Sequence, residues 1–273
     1  MSEETMDVRA RHQENRAAWN EAVARYAQEI EADILFLRSG GRNFEEPELR
    51  YLKDLDRWCR RAIHLQCAGG RDTLSLWNMG AAEVIGVDIS DEMIACARQK
   101  SETLGAPAQW FCCDVLETPE ELNGTADLVY TGRGALCWIM DIEAWAKVPA
   151  RLLRSGGRFY LFEGHPLTRI LDMEASEVRL DPKYGDYFDT RVDVNQGWPD
   201  QYIGALEKPA AAQARKHERH WNFGQILNAL IDAGLRVERF EEHPVPFWDQ
   251  FPHYPPDLIP RLPHTFSLLM SRD

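Results

Sequence analysis

The stretch Ala62-Ile63-His64-Leu65-Gln66-Cys67-Ala68-Gly69-Gly70-Arg71-Asp72-Thr73-Leu74 constrains this chain most. An apolar strand runs straight into a small-residue turn, and a helix opens at Asp72, which is expected to cap it. A second apolar run, Glu83-Val84-Ile85-Gly86-Val87, ends on Asp88, about 18 residues past Gly70. This is the layout of a nucleoside site in a doubly wound α/β sheet. The turn lets backbone come close to a ligand, and the acid at the tip of the next strand accepts ribose hydroxyls. The dinucleotide turn G-x-G-x-x-G is missing. Only Gly69 and Gly70 are present, a poor cradle for a pyrophosphate.

The rest of the chain continues the alternation. Apolar strand candidates cover 62–67, 83–88, 108–113, 126–131 and 157–163, with helix candidates at 72–79, 91–104 and 141–154 between them. Alternating strand and helix predicts a parallel sheet. Ser90 before Asp91-Glu92 reads as an N-cap with acids in the first turn, and Ser155-Gly156-Gly157 as the end of the 141–154 helix. Upstream, residues 12–33 and 48–58 read as helices around the loop 39–43. Residues 165–220 are polar, rich in Asp, Tyr and Pro, and only weakly periodic. A helix over 221–233 stopped by Gly234, a strand over 235–242, a Pro/aromatic loop over 244–263 and a strand over 265–270 close the chain. The last two strands predict an antiparallel hairpin at the sheet edge. Two hundred and seventy-three residues suit one domain, 1–273, with an N-terminal helical cap over 1–58 and an inserted lid over 165–220.

A formal net charge of −13 argues against nucleic acid as a partner. The six cysteines form no C-x-x-C pair and mostly sit in apolar runs, as expected of buried reduced thiols in a cytoplasmic protein. The charged N-terminus lacks an apolar signal-peptide core, and no apolar run is long enough to span a membrane. His217 and His220 lie three apart in a charged segment that reads as a solvated helix start. No second ligand pair accompanies them, so no metal is expected.

The frame at 62–70 resembles the class I S-adenosylmethionine (SAM) methyltransferases, whose first motif reads apolar-Asp-apolar-Gly-x-Gly-x-Gly. His64 stands for the Asp, Gln66 for the first Gly and Ala68 for the second, while Gly70 matches. The His-Leu-Gln-Cys start is similar to that of a bacterial branch of small-molecule methyltransferases, and the likeness runs over roughly residues 12–271. It implies a Rossmann-like doubly wound α/β sheet of seven strands and SAM as cofactor. It also implies methyl transfer to an O, N or C atom of a small molecule, in secondary metabolism, by a monomer or homodimer. A non-catalytic binding or scaffold protein and a nucleotide-dependent oxidoreductase are the competing readings.

By that resemblance the cofactor contacts are Gln66, Ala68 and Gly70 through backbone, Asp88 on the ribose, Ile89 and Met93 on the apolar face, and Asp114 with the backbone of Val115 on the adenine. Thr131 and Arg133 are expected at the cofactor carboxylate. His165 follows the fifth strand, where strand ends face the ligand crevice, so it is the candidate general base and acceptor contact. Trp138, Tyr184, Tyr187, Trp198, Trp221 and Trp248 are candidate acceptor walls, because aromatics amid polar loops suit a lid over a flat or apolar molecule.

Overall fold

The computed structural model describes residues 3–204 and 206–273. Two long helices, α1 (Glu3–Gln28) and α2 (Ile30–Arg38), precede two short ones, α3 (Glu46–Tyr51) and α4 (Leu55–Trp58). The alternating part follows as β1 (Arg61–Leu65), α5 (Arg71–Asn78), β2 (Glu83–Asp88), α6 (Asp91–Leu104), β3 (Ala108–Cys112), β4 (Ala126–Gly132), α7 (Ile142–Leu152) and β5 (Leu153–Gly164). Then come β6 (Val192–Gln196), α8 (Asp200–Ile203), β7 (Arg215–Arg219), α9 (Phe223–Asp232), β8 (Leu235–His243) and β9 (Thr265–Arg272).

Seven of these strands form one sheet in the order β3-β2-β1-β4-β5-β9-β8, and β6 pairs only with β7. The pairings from β3 to β5 are parallel, and β9 runs antiparallel to both β5 and β8. The expected doubly wound sheet and edge hairpin are therefore present. The order turns at β1, where β2 and β4 flank it on opposite sides, and ligand crevices open at the carboxyl ends there.

Strand residues alternate between two cores. Ile63, Leu65, Val129, Phe159 and Leu161 pack under α7 and α9, with Trp145 fully buried among them. Ala62, Leu128, Tyr130, Tyr160 and Phe162 face Leu52, Leu55 and Leu76 on the other side. Both faces are covered, so the central strands are apolar throughout.

Several expected boundaries move. The 12–33 helix is two helices, broken at Glu29. The 48–58 helix is also two, because Asp54 takes a left-handed φ of 55° between α3 and α4. Ser155-Gly156-Gly157 does not end α7; it lies inside β5, with Gly156 at φ 73° where the β4–β5 register shifts. Asp72 is not the cap of α5: Gly70 holds that position, and Asp72 accepts from Asn43 Nδ2 at 2.5 Å. Ser90 does cap α6, accepting from the Met93 amide. The segment at His217 is strand β7, not helix. Asn15 of α1 clamps it, donating to the His217 carbonyl and accepting its N–H at 2.9 and 2.7 Å. Cys112 is exposed, unlike the other cysteines.

Candidate functional site

The carboxyl ends of β1, β2 and β4 meet α1 around a cavity of about 330 Å³, within the range of small-ligand sites. Its floor is the turn after β1. Gln66 and Ala68 sit at φ 59° and 43°, the left-handed region that usually calls for glycine. Gln66 holds its place through its side chain. Nε2 donates to the Ala135 carbonyl at 2.7 Å and Oε1 accepts the Trp145 indole N–H at 3.2 Å. The residue that departs from the motif thus ties the β1 turn to the loop after β4 and to α7. Gly70 is required for packing: a Cβ there would stand 2.6 Å from the Trp110 ring and 2.7 Å from Ala97. Packing therefore requires a glycine at this position as well as any ligand approach.

Asp88 ends β2 at the cavity. Its Oδ2 accepts the Ala68 N–H at 2.8 Å and its Oδ1 the Ser90 N–H at 2.9 Å. Among the described residues no basic side chain is paired with it, and burial raises its carboxyl above the ordinary range against the pull of those amides. Each oxygen keeps acceptor capacity for a donor in the cavity. Ile89, Asp114 and Val115 continue the wall. Asp114 is engaged on both oxygens: Oδ1 accepts the Leu116 N–H at 3.0 Å, and Oδ2 lies 2.6 Å from His12 Nδ1. His12 Nε2 accepts the Met140 N–H, which puts the ring proton on Nδ1, pointing at Asp114. A ligand donor at Asp114 shares it with His12.

Arg133, at φ 58°, lines the cavity beside Gly134. Its guanidinium pairs with the fully buried Glu48, Nη2 to Oε2 at 2.5 Å, and that carboxylate also accepts the Tyr130 hydroxyl. The next residues are held from below. Glu163 accepts the N–H groups of Gly134, Ala135, Leu136 and Gly164 at 2.6 to 3.1 Å.

The expected residues divide. Gln66, Ala68, Gly70, Asp88, Ile89, Asp114, Val115, Arg133, Trp138 and Trp248 line the one cavity. Met93 does not; it is wholly buried against Ala22 and Ile203. Nor does Thr131, whose hydroxyl donates to the Leu65 carbonyl and ties β4 to β1. His165 is not at the cavity either. Its Nδ1 accepts the Leu167 N–H, its Nε2 bonds Glu242 at 2.7 Å, and Phe223 covers its ring. Burial lowers its proton affinity. Nδ1 is committed to the turn and Nε2 to Glu242 of β8, so the ring holds the turn against the sheet edge. Trp221 is core, its indole donating to the Ile139 carbonyl. Tyr184 bonds Asn195, and Tyr187 packs on Phe188 and His220. Trp198 stands behind the cavity wall, its ring 6.1 Å from that of Tyr202 and 5.7 Å from that of Trp138.

Cavity residues missed in the sequence include four from α1: His12, Asn15, Trp19 and Tyr26. The buried Lys100–Asp33 pair, at 2.7 Å beside Gly69, was missed as well. A helix stripe that packs over a ligand reads the same as one that packs on core. Among the described residues no group of three or more His, Cys, Asp or Glu could hold a metal ion, and no helix is long and apolar enough to cross a membrane.

Residues 62–157 match a family model described as a methyltransferase domain. No curated protein matches the chain. Among solved structures, the chain is similar to an S-adenosylmethionine-dependent methyltransferase from Mesorhizobium loti. That pair is 22% identical, with 83% of this chain and 96% of that one covered, at a TM-score of 0.58. For a putative S-adenosylmethionine-dependent methyltransferase from Listeria monocytogenes the values are 17%, 83%, 98% and 0.58. For geranyl diphosphate C-methyltransferase from Streptomyces coelicolor A3(2) they are 14%, 78%, 70% and 0.52. The seven-stranded order and the matched segment agree: the chain has the Rossmann-like fold seen in the S-adenosylmethionine-dependent methyltransferases, and residues 62–157 match the methyltransferase domain model.

Proposed function

We propose that this protein transfers a methyl group from S-adenosylmethionine to an O, N or C atom of a small molecule. The observation that carries the reading is Asp88, a buried carboxylate at a strand tip, braced by two amides and opening on the cavity. A vicinal diol supplies the two donors that such an acceptor lacks. Asp114 with the Val115 backbone suits a heteroaromatic amino edge, and Ile89 its flat face. Glu48 takes Arg133 at Nε and Nη2, which leaves Nη1 for a ligand carboxylate. The cofactor supplies an electrophilic methyl on a sulfonium. The protein's part is to hold donor and acceptor in line, which can lower a barrier by roughly 7–11 kcal/mol in ideal cases.

The similar Streptomyces enzyme acts on a small molecule, which supports a small acceptor here. Residues 165–220 act as the cover on the acceptor side, since Tyr202 enters the cavity from them. A nucleotide-dependent oxidoreductase is disfavoured by the turn, where Gln66 and Ala68 carry side chains in place of glycines that would let a pyrophosphate approach. Calorimetric titration separates the readings. S-adenosylhomocysteine is expected to bind with a single-site isotherm and NAD to give no heat of binding. The reverse pattern removes the proposal.

A further inference from the structure

Part of the cavity wall is aromatic. Trp19, Trp138, Tyr202, Phe247 and Trp248 line it. Trp248 meets Tyr202 edge to face at 5.7 Å, and the Trp198 ring backs Tyr202 at an interplanar angle of 17°. Packing against these neighbours fixes the Tyr202 ring. Gly134 opens the slot beneath it: a Cβ there would lie 3.9 Å from the Tyr202 hydroxyl and 4.0 Å from the Phe247 ring. A side chain at 134 would fill that slot, and the φ of 90° disfavours one.

Among the described residues the Tyr202 hydroxyl has no hydrogen-bond partner, whereas the hydroxyls of Tyr130 and Tyr184, elsewhere in the fold, each have one. Burial raises its proton affinity well above that of a free phenol, so it is a neutral donor and acceptor. A phenol held rigidly without a protein partner, facing a cavity, is satisfied by what enters the cavity. Charge narrows the choice. Five carboxylates line the cavity (Glu29, Asp33, Asp72, Asp88 and Asp114) against three basic side chains, Arg71, Lys100 and Arg133. Asp33 pairs with Arg71 and Lys100, and Arg133, which holds Glu48 with Nε and Nη2, keeps only Nη1, already assigned to the cofactor carboxylate. None of the side chains that line the aromatic part is basic.

Resting on the methyl-transfer reading, we infer that the acceptor is a flat ring compound without negative charge, seated among Trp138, Phe247 and Trp248 and oriented by a hydrogen bond to the Tyr202 hydroxyl. Tyr202 is then an acceptor-specificity residue, and the site discriminates against diphosphates and carboxylates.

The test uses the full chain with S-adenosylmethionine and follows methylated product by mass spectrometry. The probes are phenol, indole, 4-aminopyridine, benzoate and geranyl diphosphate. The expected result is product from at least one of the first three and none from the two anions. With the accepted probe, Tyr202→Phe is expected to lower kcat/KM about 3- to 10-fold, mostly through KM. Its affinity for S-adenosylhomocysteine should match the parent's, which also shows that the variant is folded. Methylation of benzoate or geranyl diphosphate, or a Tyr202→Phe variant with unchanged kinetics, overturns the inference. So does binding of S-adenosylhomocysteine with no ring compound methylated. Failure of the parent to bind S-adenosylhomocysteine at all removes instead the methyl-transfer reading beneath it.

Discussion

His64 is an imidazole built into β1 with almost no exposure, 4%. Its Nδ1 meets Thr73 Oγ1 at 2.9 Å, and its ring edges onto Tyr130. Desolvation pushes its pKa from 6.5 down to about 4, more than the nearby Asp72 can restore. The unfolded chain takes up the proton first, so the neutral folded ring costs nothing above pH 6.5. Stability is then lost as pH falls from 6.5 towards 4. This group should remove about 2 kcal/mol between pH 7 and pH 5. Urea unfolding at both values, on the parent and on His64→Asn, measures it. Asparagine keeps a polar atom towards Thr73 and does not titrate, and the other histidines cancel in the comparison. Equal losses in the two proteins would show that His64 is not the titrating group. The sequence marks His64 as a departure from the motif. It does not show that the imidazole is buried, because burial depends on α5 and on Tyr130 across the sheet.

The elements that read clearly are those with an apolar run or stripe in the sequence: β1, β2 and β4, buried almost throughout, and also β3, β5, α5 to α7 and the β8–β9 hairpin. The ones that escaped have no such pattern. Strand β7 reads Arg-Lys-His-Glu-Arg, and its pairing rests on β6 and on Asn15, not on apolar alternation. The aromatic residues show the same limit. Trp138 and Trp248 reach the cavity, whereas Trp221 is core and Tyr187 packs away from it; only the path of the chain tells them apart. Gln66 belongs to this scale as well, since it joins β1, the loop after β4, and α7. Gln66→Gly restores the residue the backbone prefers, worth up to about 1–2 kcal/mol. It also strands the Trp145 indole N–H and the Ala135 carbonyl, each at about 1–3 kcal/mol. The net expectation is a loss of about 1–3 kcal/mol, read from denaturant midpoints. A variant more stable than the parent would mean that the clamp contributes less than the strain.

At the scale of the whole molecule, the cavity lies where α1 crosses the carboxyl ends of the sheet. His12 touches Asp114, Arg16 and Asn20 reach Asp91, Asn15 holds β7, and Trp19 meets Trp138 and Trp198. One helix therefore joins the proposed cofactor end to the proposed acceptor end. The central claim is that Asp88 receives the two hydroxyls of a ribose, and one measurement addresses it directly. Calorimetric titration of S-adenosylhomocysteine into the parent and into Asp88→Ala should show affinity falling by at least about tenfold, the loss of a charge-assisted contact. Cooperative thermal unfolding should be retained. A folded Asp88→Ala variant that binds S-adenosylhomocysteine as tightly as the parent would contradict the account.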